Sequence, residues 1–312
     1  DGYSLLMATS STMSINVSIY KSLPFDPQKD LMPVALYARV PFVLVVNPSS
    51  PARTAADLVR LAKQQPGKLS FGTSGTGTAS HLFAELFKIQ TGVEVTHVPY
   101  KSMVQPLNDV LGGHLDYMFS DLSPALPLIR DGKLRALGVT SATRVPTAME
   151  IPTLAESGVP DYEAVAWLMI VTHAGTPPGV LDTLHREVKA ALAQPDVREQ
   201  IARLGMIPQD TPSPEELRRY VASETVRWRK IVEQAGAVGI VCYEDETGDV
   251  TLVFFHADSR HLAQTLPIGD CMQPGVLFGP IQNLPQYRRV LQLRDEARDA
   301  GLVLLEGAAV PE

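Results

Sequence analysis

The sequence predicts an α/β fold. Three observations carry the prediction: apolar runs of strand length alternate with amphipathic stretches of helix length, the connections between them are short, and glycine or proline marks the joins. The chain has 312 residues, 45% of them hydrophobic, a globular composition long enough for two domains with cores of their own.

The elements follow in order. Residues 3–9, with Leu5-Leu6-Met7-Ala8, read as a short buried strand. Ala35 to Pro48 holds Val43-Leu44-Val45-Val46, a continuous apolar run suited to a sheet covered on both faces. Thr54 to Gln64 reads as a helix with Ala55, Leu58, Leu61 and Ala62 on one stripe, stopped by Pro66-Gly67. Lys68 to Gly72 is a strand, Ser80 to Thr91 a helix with Leu82, Leu86 and Ile89 on one face, and Val93 to Val98 a strand. Val104 to Leu111 is a helix ended by Gly112-Gly113, Leu115 to Phe119 a strand, Ala125 to Arg130 a helix closed by Asp131-Gly132, and Ala136 to Thr140 a strand. This alternation predicts parallel units, in which ligands sit at the carboxyl ends of strands and against helix N-termini. Residues 143–158 are loop-rich, and Ala164 to Val171 is strand-like. Thr176-Pro177-Pro178 opens a helix to Leu192, followed by a helix from Pro195 to Leu204. Ser213-Pro214-Glu215-Glu216 is a capping signal ahead of a long helix to about Gly236, with Leu217, Tyr220, Val221, Trp228 and Ile231 as its buried stripe.

Composition removes several function classes. A net charge of −7 with no basic excess argues against nucleic acid as a partner. The two cysteines, Cys242 and Cys271, come late, which excludes a thiol nucleophile and a disulfide framework from the first 241 residues. No apolar run approaches a membrane span, and no signal-peptide pattern is visible. There is no His-Glu-x-x-His motif or Cys/His cluster for a metal, and no Gly-x-Ser-x-Gly elbow. Ser74 and His81 form a conceivable dyad without an orienting acid. The expectation is binding rather than catalysis, with neither cofactor nor metal.

The candidate site centres on Gly72-Thr73-Ser74-Gly75-Thr76-Gly77-Thr78, between a strand and a helix. Glycines let backbone amides approach a ligand, hydroxyls add donors, and the following helix N-terminus favours negative charge. No lysine follows in the phosphate-loop position, so nucleotide hydrolysis is not indicated. An ordinary glycine-rich turn satisfies the same residues. Tyr100, Lys101 and Ser102 offer a phenol, a cation and a hydroxyl at the end of the next strand, and Ser120-Asp121 ends the one after. His81 is read either as an anion donor or as a packed, capping histidine. Trp167 either walls a cleft or belongs to a core.

Seven segments recur in order: Asp1-Gly2-Tyr3-Ser4-Leu5-Leu6, Leu23-Pro24-Phe25-Asp26-Pro27, Gly67 to Gly75, His97-Val98-Pro99-Tyr100-Lys101, Leu111 to Asp116, Gly132 to Leu137 and Ile151 to Gly158. Together they closely resemble the substrate-binding receptors of tripartite tricarboxylate transporters over about residues 1–237. The resemblance implies a periplasmic, two-domain Venus-flytrap receptor of the type II binding-protein class. Such a receptor closes on a small carboxylate and hands it to the permease subunits in the membrane; a monomer is expected. Domain 1 is expected at 1–99 and 168–237, and domain 2 at 100–167. The family's ligand positions carry over to Ser10, Ser11 and Thr12, to Ser74, Gly75, Thr76 and Thr78, to His81, to Tyr100, Lys101 and Ser102, and to Ser120 and Asp121. Ser102 stands where the family commonly has glycine.

Two departures shape the expectation. Family members carry an earlier strand, glycine-rich loop and helix ahead of Asp-Gly-Tyr, so the first strand, loop and helix of the fold are expected to be missing and the carboxylate cradle incomplete. Residues 238–312 read as a foreign tail. Val241 to His256 resembles a hairpin from the wedge domain of a branch-migration helicase, and Gly279 to Ala300 resembles an aldehyde dehydrogenase segment. Neither carries its parent's catalytic motifs, which leaves a chimeric or fused gene fragment as an alternative, and a dehydrogenase relative as another on the tail alone.

Overall fold

The computed structural model describes residues 4–20, 23 and 25–236, with the backbone of 241–244 and 250–253. Strand β1 (Leu6–Thr9) runs into a π-helical turn (Ser11–Ile15) and helix α1 (Asn16–Ile19). Helix α2 (Pro27–Asp30) then leads to β2 (Leu31–Val46), a strand of 16 residues. There follow α3 (Ala55–Gln64), β3 (Ser70–Thr73), α4 (Ala79–Thr91), β4 (Thr96–Pro99), α5 (Val104–Gly112), β5 (Tyr117–Asp121), α6 (Leu122–Arg130) and β6 (Arg135–Val139). The chain continues through β7 (Val165–His173), α7 (Pro178–Leu192), α8 (Pro195–Arg203), β8 (Ile207–Pro208) and α9 (Pro214–Gln234).

β2 organises this mixed α/β arrangement by changing partners along its length. Leu31 to Pro41 pairs antiparallel with β7, and β7 in turn holds β1, with Leu6 opposite Val171. Beyond Pro41 the partners change: Phe42 to Val46 pairs antiparallel with β5, and Val43 to Val46 with β6. Prolines cannot donate to a ladder, and the register shifts between Pro33 and Ala35, where a bulge absorbs the missing bond.

The parallel reading holds only in part. β3 pairs parallel with β4 and β5, but every pairing of β2 is antiparallel. The reason is a split crossover: β5, α6 and β6 run as a βαβ unit, and β2 enters between its two strands from the opposite direction. Hydropathy registers burial on both faces of β2 but not its direction. β3 and β4 join the sheet through β5 rather than through β7.

Local chemistry explains the helix starts. Thr54 accepts from the amide of Asp57 while the Asp57 carboxylate takes the Thr54 amide, and Ser213 and Glu216 repeat this box before α9. Each such cap is worth about 1 kcal/mol. The long helix buries Leu217, Val221, Trp228 and Ile231 as expected, with Glu224 and Thr225 as well. Helix α4 is buried on more sides than one stripe predicts: His81 to Phe87 are all buried, while Ile89 is 37% exposed.

Val241–Glu244 and Val250–Val253 pair antiparallel in a separate two-stranded sheet, with Val250 opposite Glu244. The connecting turn, the segment to Ala300 and the rest of the expected tail lie outside the described residues.

Candidate functional site

Thr73 ends β3, and the loop that follows turns on two glycines in the left-handed region, Gly75 at φ 125° and Gly77 at φ 80°. A side chain at Gly77 would also press on Ile19, whose Cδ1 lies 3.0 Å from where a Cβ would sit. Only glycine combines that backbone with that approach.

The loop satisfies much of its own hydrogen bonding. The Ser74 amide donates to Ser80 Oγ at 3.2 Å, the Gly75 amide to Thr73 Oγ1 at 3.3 Å, and the Gly77 amide to His81 Nδ1 at 3.1 Å. The Thr78 hydroxyl donates to the Gly75 carbonyl at 2.6 Å and lies 3.0 Å from Ser80 Oγ. Among the described residues, the amides of Thr76, Ala79, Ser80 and His81 have no acceptor. The donors left for an anion are therefore Thr76 and the first turn of α4, where the helix dipole adds to them. Thr78, at the N-cap, makes no side-chain cap bond, so its hydroxyl does not compete for these amides.

His81 is buried, and accepting from Gly77 leaves its proton on Nε2, which faces Glu85 Oε1 at 3.7 Å. Burial first, then His97 and Lys88, lower its pKa to about 3, so it is neutral at pH 7. The Glu85 carboxylate is engaged with Lys88 Nζ at 2.7 and 2.8 Å. His97 on β4 stacks on His81 with ring centroids 4.3 Å apart and on Phe71 at 4.9 Å, and its Nε2 lies 2.7 Å from Thr73 Oγ1. Burial and the Lys88 charge lower its pKa to about 4.

The other candidates divide by what they already hold. Tyr100 donates its hydroxyl to Asp109 at 2.5 Å, and burial with that bond raises its pKa to about 12, so the phenol is committed. Lys101 and Ser102 are exposed, and Lys101 makes no ion pair among the described residues. Ser120 is buried, with Oγ donating to the Asp121 carbonyl at 3.1 Å. Asp121 sits at the N-cap of α6 without a side-chain cap bond, and burial raises its carboxyl pKa. Ser10 is buried at the N-cap of the turn after β1, and Thr12 is 3.2 Å from the Thr9 hydroxyl, with Ser11 half-buried between them. That turn and α1 pack on α9, as α4 does, and Ile19 meets the loop at Gly77.

Trp167 is corrected from cleft wall to core. It is 0% exposed, packs against Tyr220 and donates Nε1 to Glu224 Oε2 at 3.1 Å, which leaves no surface for a ligand. Ser80 and His97 were missed as partners of the loop. Ser80 carried a local signal, a hydroxyl two residues beyond the loop at a helix start. His97 reaches the loop only through the register that sets it beside Phe71, which spacing does not reveal. Among the described residues no group of three or more His, Cys, Asp or Glu side chains is placed to hold a metal.

Residues 1–237 match the family described as tripartite tricarboxylate transporter family receptor. Protein BugT of Bordetella pertussis is 34% identical over 238 residues, 76% of this chain and 73% of that protein. Among solved structures, R. palustris Rpa4515 with adipate is 36% identical with a TM-score of 0.70, covering 77% of this chain and 80% of that one. MatC from Rhodopseudomonas palustris with bound malate is 28% identical with a TM-score of 0.65, covering 74% and 80%. The chain thus belongs to the tripartite tricarboxylate transporter receptor family, whose members are substrate-binding receptors and not enzymes.

Proposed function

We propose that this chain is a periplasmic receptor for a small dicarboxylate, which it delivers to the permease subunits of a tripartite tricarboxylate-type transporter. The observation that carries the reading is the set of amides at Thr76 and the first turn of α4 that have no acceptor among the described residues, with Lys101, which makes no ion pair among them, just beyond the neighbouring β4. Amides at a helix N-terminus and one cation suit a carboxylate without a full ion-pair clamp. The adipate and malate held by two solved relatives support the ligand class. Ser74, Gly75, Thr76, Thr78, Ser102 and Asp121 form one wall in this reading, and Ser11 and Thr12 contribute from the turn after β1, while Ser10 and Ser120 are buried behind them. The two lobes are the strand groups that share β2, residues 6–41 with 165–236 and residues 42–164, and the receptor acts as a monomer that closes over ligand.

Calorimetric titration against succinate, malate, adipate and an aromatic acid tests the proposal. One of these acids binds in saturable 1:1 fashion, and Lys101→Gln weakens it with a reduced salt dependence. Failure of every acid to bind sinks the reading.

A further inference from the structure

The sequence offers His81 as a donor to the ligand, but its surroundings assign it another task. Its Nδ1 is taken by the Gly77 amide, its Nε2–H faces the carboxylate of Glu85, and it is 6% exposed. His97 lies between His81 and Phe71, stacked on both, and reaches Thr73 Oγ1 at 2.7 Å. The same Thr73 oxygen takes the Gly75 amide at 3.3 Å. The two rings therefore grip opposite ends of the glycine loop, His97 at its start and His81 at its end, and each braces the other.

We propose that His81 and His97 are a paired clasp of positioning residues that fixes the loop before ligand arrives and so determines which amides face it. Two left-handed glycines give the loop wide conformational freedom, and an unclasped loop has more to lose on binding. The clasp also occupies the Gly75 and Gly77 amides, which leaves Thr76 and the first turn of α4 as the donors without an acceptor among the described residues. The task requires His81 to be uncharged, because a protonated Nδ1 cannot accept from Gly77. Burial keeps its pKa low, as that requirement demands. The effect on affinity rests on the carboxylate-receptor reading; the clasp itself does not.

The test uses the full chain at pH 7. Nitrogen-15 shifts report the His81 tautomer, hydrogen exchange reports the Gly77 amide, and calorimetry with adipate reports affinity in the wild type, His81→Phe and His81→Asn. The clasp predicts the Nε2–H tautomer and a protected Gly77 amide without ligand. His81→Phe loses Gly77 protection and weakens adipate about tenfold, the scale of one buried amide left without its acceptor. Asn, whose side-chain oxygen can take the same amide, restores most of both losses. An Nδ1–H tautomer, or an unprotected Gly77 amide in the wild type, overturns the clasp even if His81→Phe does not fold. Wild-type affinity in His81→Phe overturns it as well. If the wild type binds no acid, the receptor reading fails, while tautomer and exchange still decide the clasp.

Discussion

Replacing Glu224 by leucine probes the contact that removed Trp167 from the site. Glu224 is 7% exposed, and its Oε2 accepts from Nε1 of Trp167 and of Trp228, each at 3.1 Å. Both indoles are 0% exposed, and they are the chain's only two tryptophans. Leucine keeps the volume apolar and leaves two buried N–H groups without an acceptor. Each such group costs about 1–3 kcal/mol, so the pair costs about 2–6 kcal/mol. For a domain of this size that corresponds to a fall of roughly 4–24 °C in Tm. Glu224→Gln separates charge from hydrogen bonding: its amide oxygen still accepts, while the charge that Arg227 Nη1 approaches at 3.4 Å is gone. The difference between Leu and Gln isolates the indole bonds. Urea unfolding measures it, and tryptophan emission, which reports on nothing else in this chain, records the change in the indole environment. A Leu variant within about 1 kcal/mol of Gln would refute the reasoning, because two stranded donors cannot cost so little.

Three further expectations follow from the same structure. Asp121 has a carboxyl pKa raised by burial, so folding binds its proton more tightly than the unfolded chain does, and stability falls as pH rises through its pKa. Asp121→Asn is therefore more stable than wild type at pH 7, and the gain disappears in urea unfolding below the unfolded carboxyl value of about 3.9; an equal gain at both pH values argues against burial as the cause. Gly158 has φ 105°, and a Cβ there would lie 2.5 Å from that of Ala56, so Gly158→Ala should cost more than about 2 kcal/mol in denaturant unfolding. The Tyr100 phenol, held by Asp109, should ionise near pH 12, seen as the difference in 295 nm absorbance between wild type and Tyr100→Phe; a step near 10 would show that the hydroxyl is free.

Features set by neighbours in sequence were legible. The box at Ser213, the glycine loop and the strand-helix alternation all depend on residues a few positions apart, as does the box at Thr54, which the sequence reading passed over. What was hidden depends on partners far along the chain. The burial of Trp167 follows from Glu224 on α9. The loop amides that remain free follow from His97 on β4 as much as from the loop itself. Strand direction in β2 follows from β5, β6 and β7, all far along the chain from it, and no hydropathy pattern encodes it.

The pairing of β1 has a consequence for how the molecule is made. Leu6 is in register with Val171, so the first described strand has no partner until the chain has been synthesised past residue 171. The first part of β2 waits equally long, since Leu31 to Pro41 pairs with the same late strand. Contacts of such long sequence separation slow folding, because loop-closure entropy is lost before the pairing returns anything. Meanwhile Leu5, Leu6 and Met7 remain a short apolar segment open to water, and even in the finished fold Met7 keeps 68% of its surface exposed. Assembly of the first strand group thus waits until β7 has been made, and nascent intermediates are the species in which aggregation competes with folding.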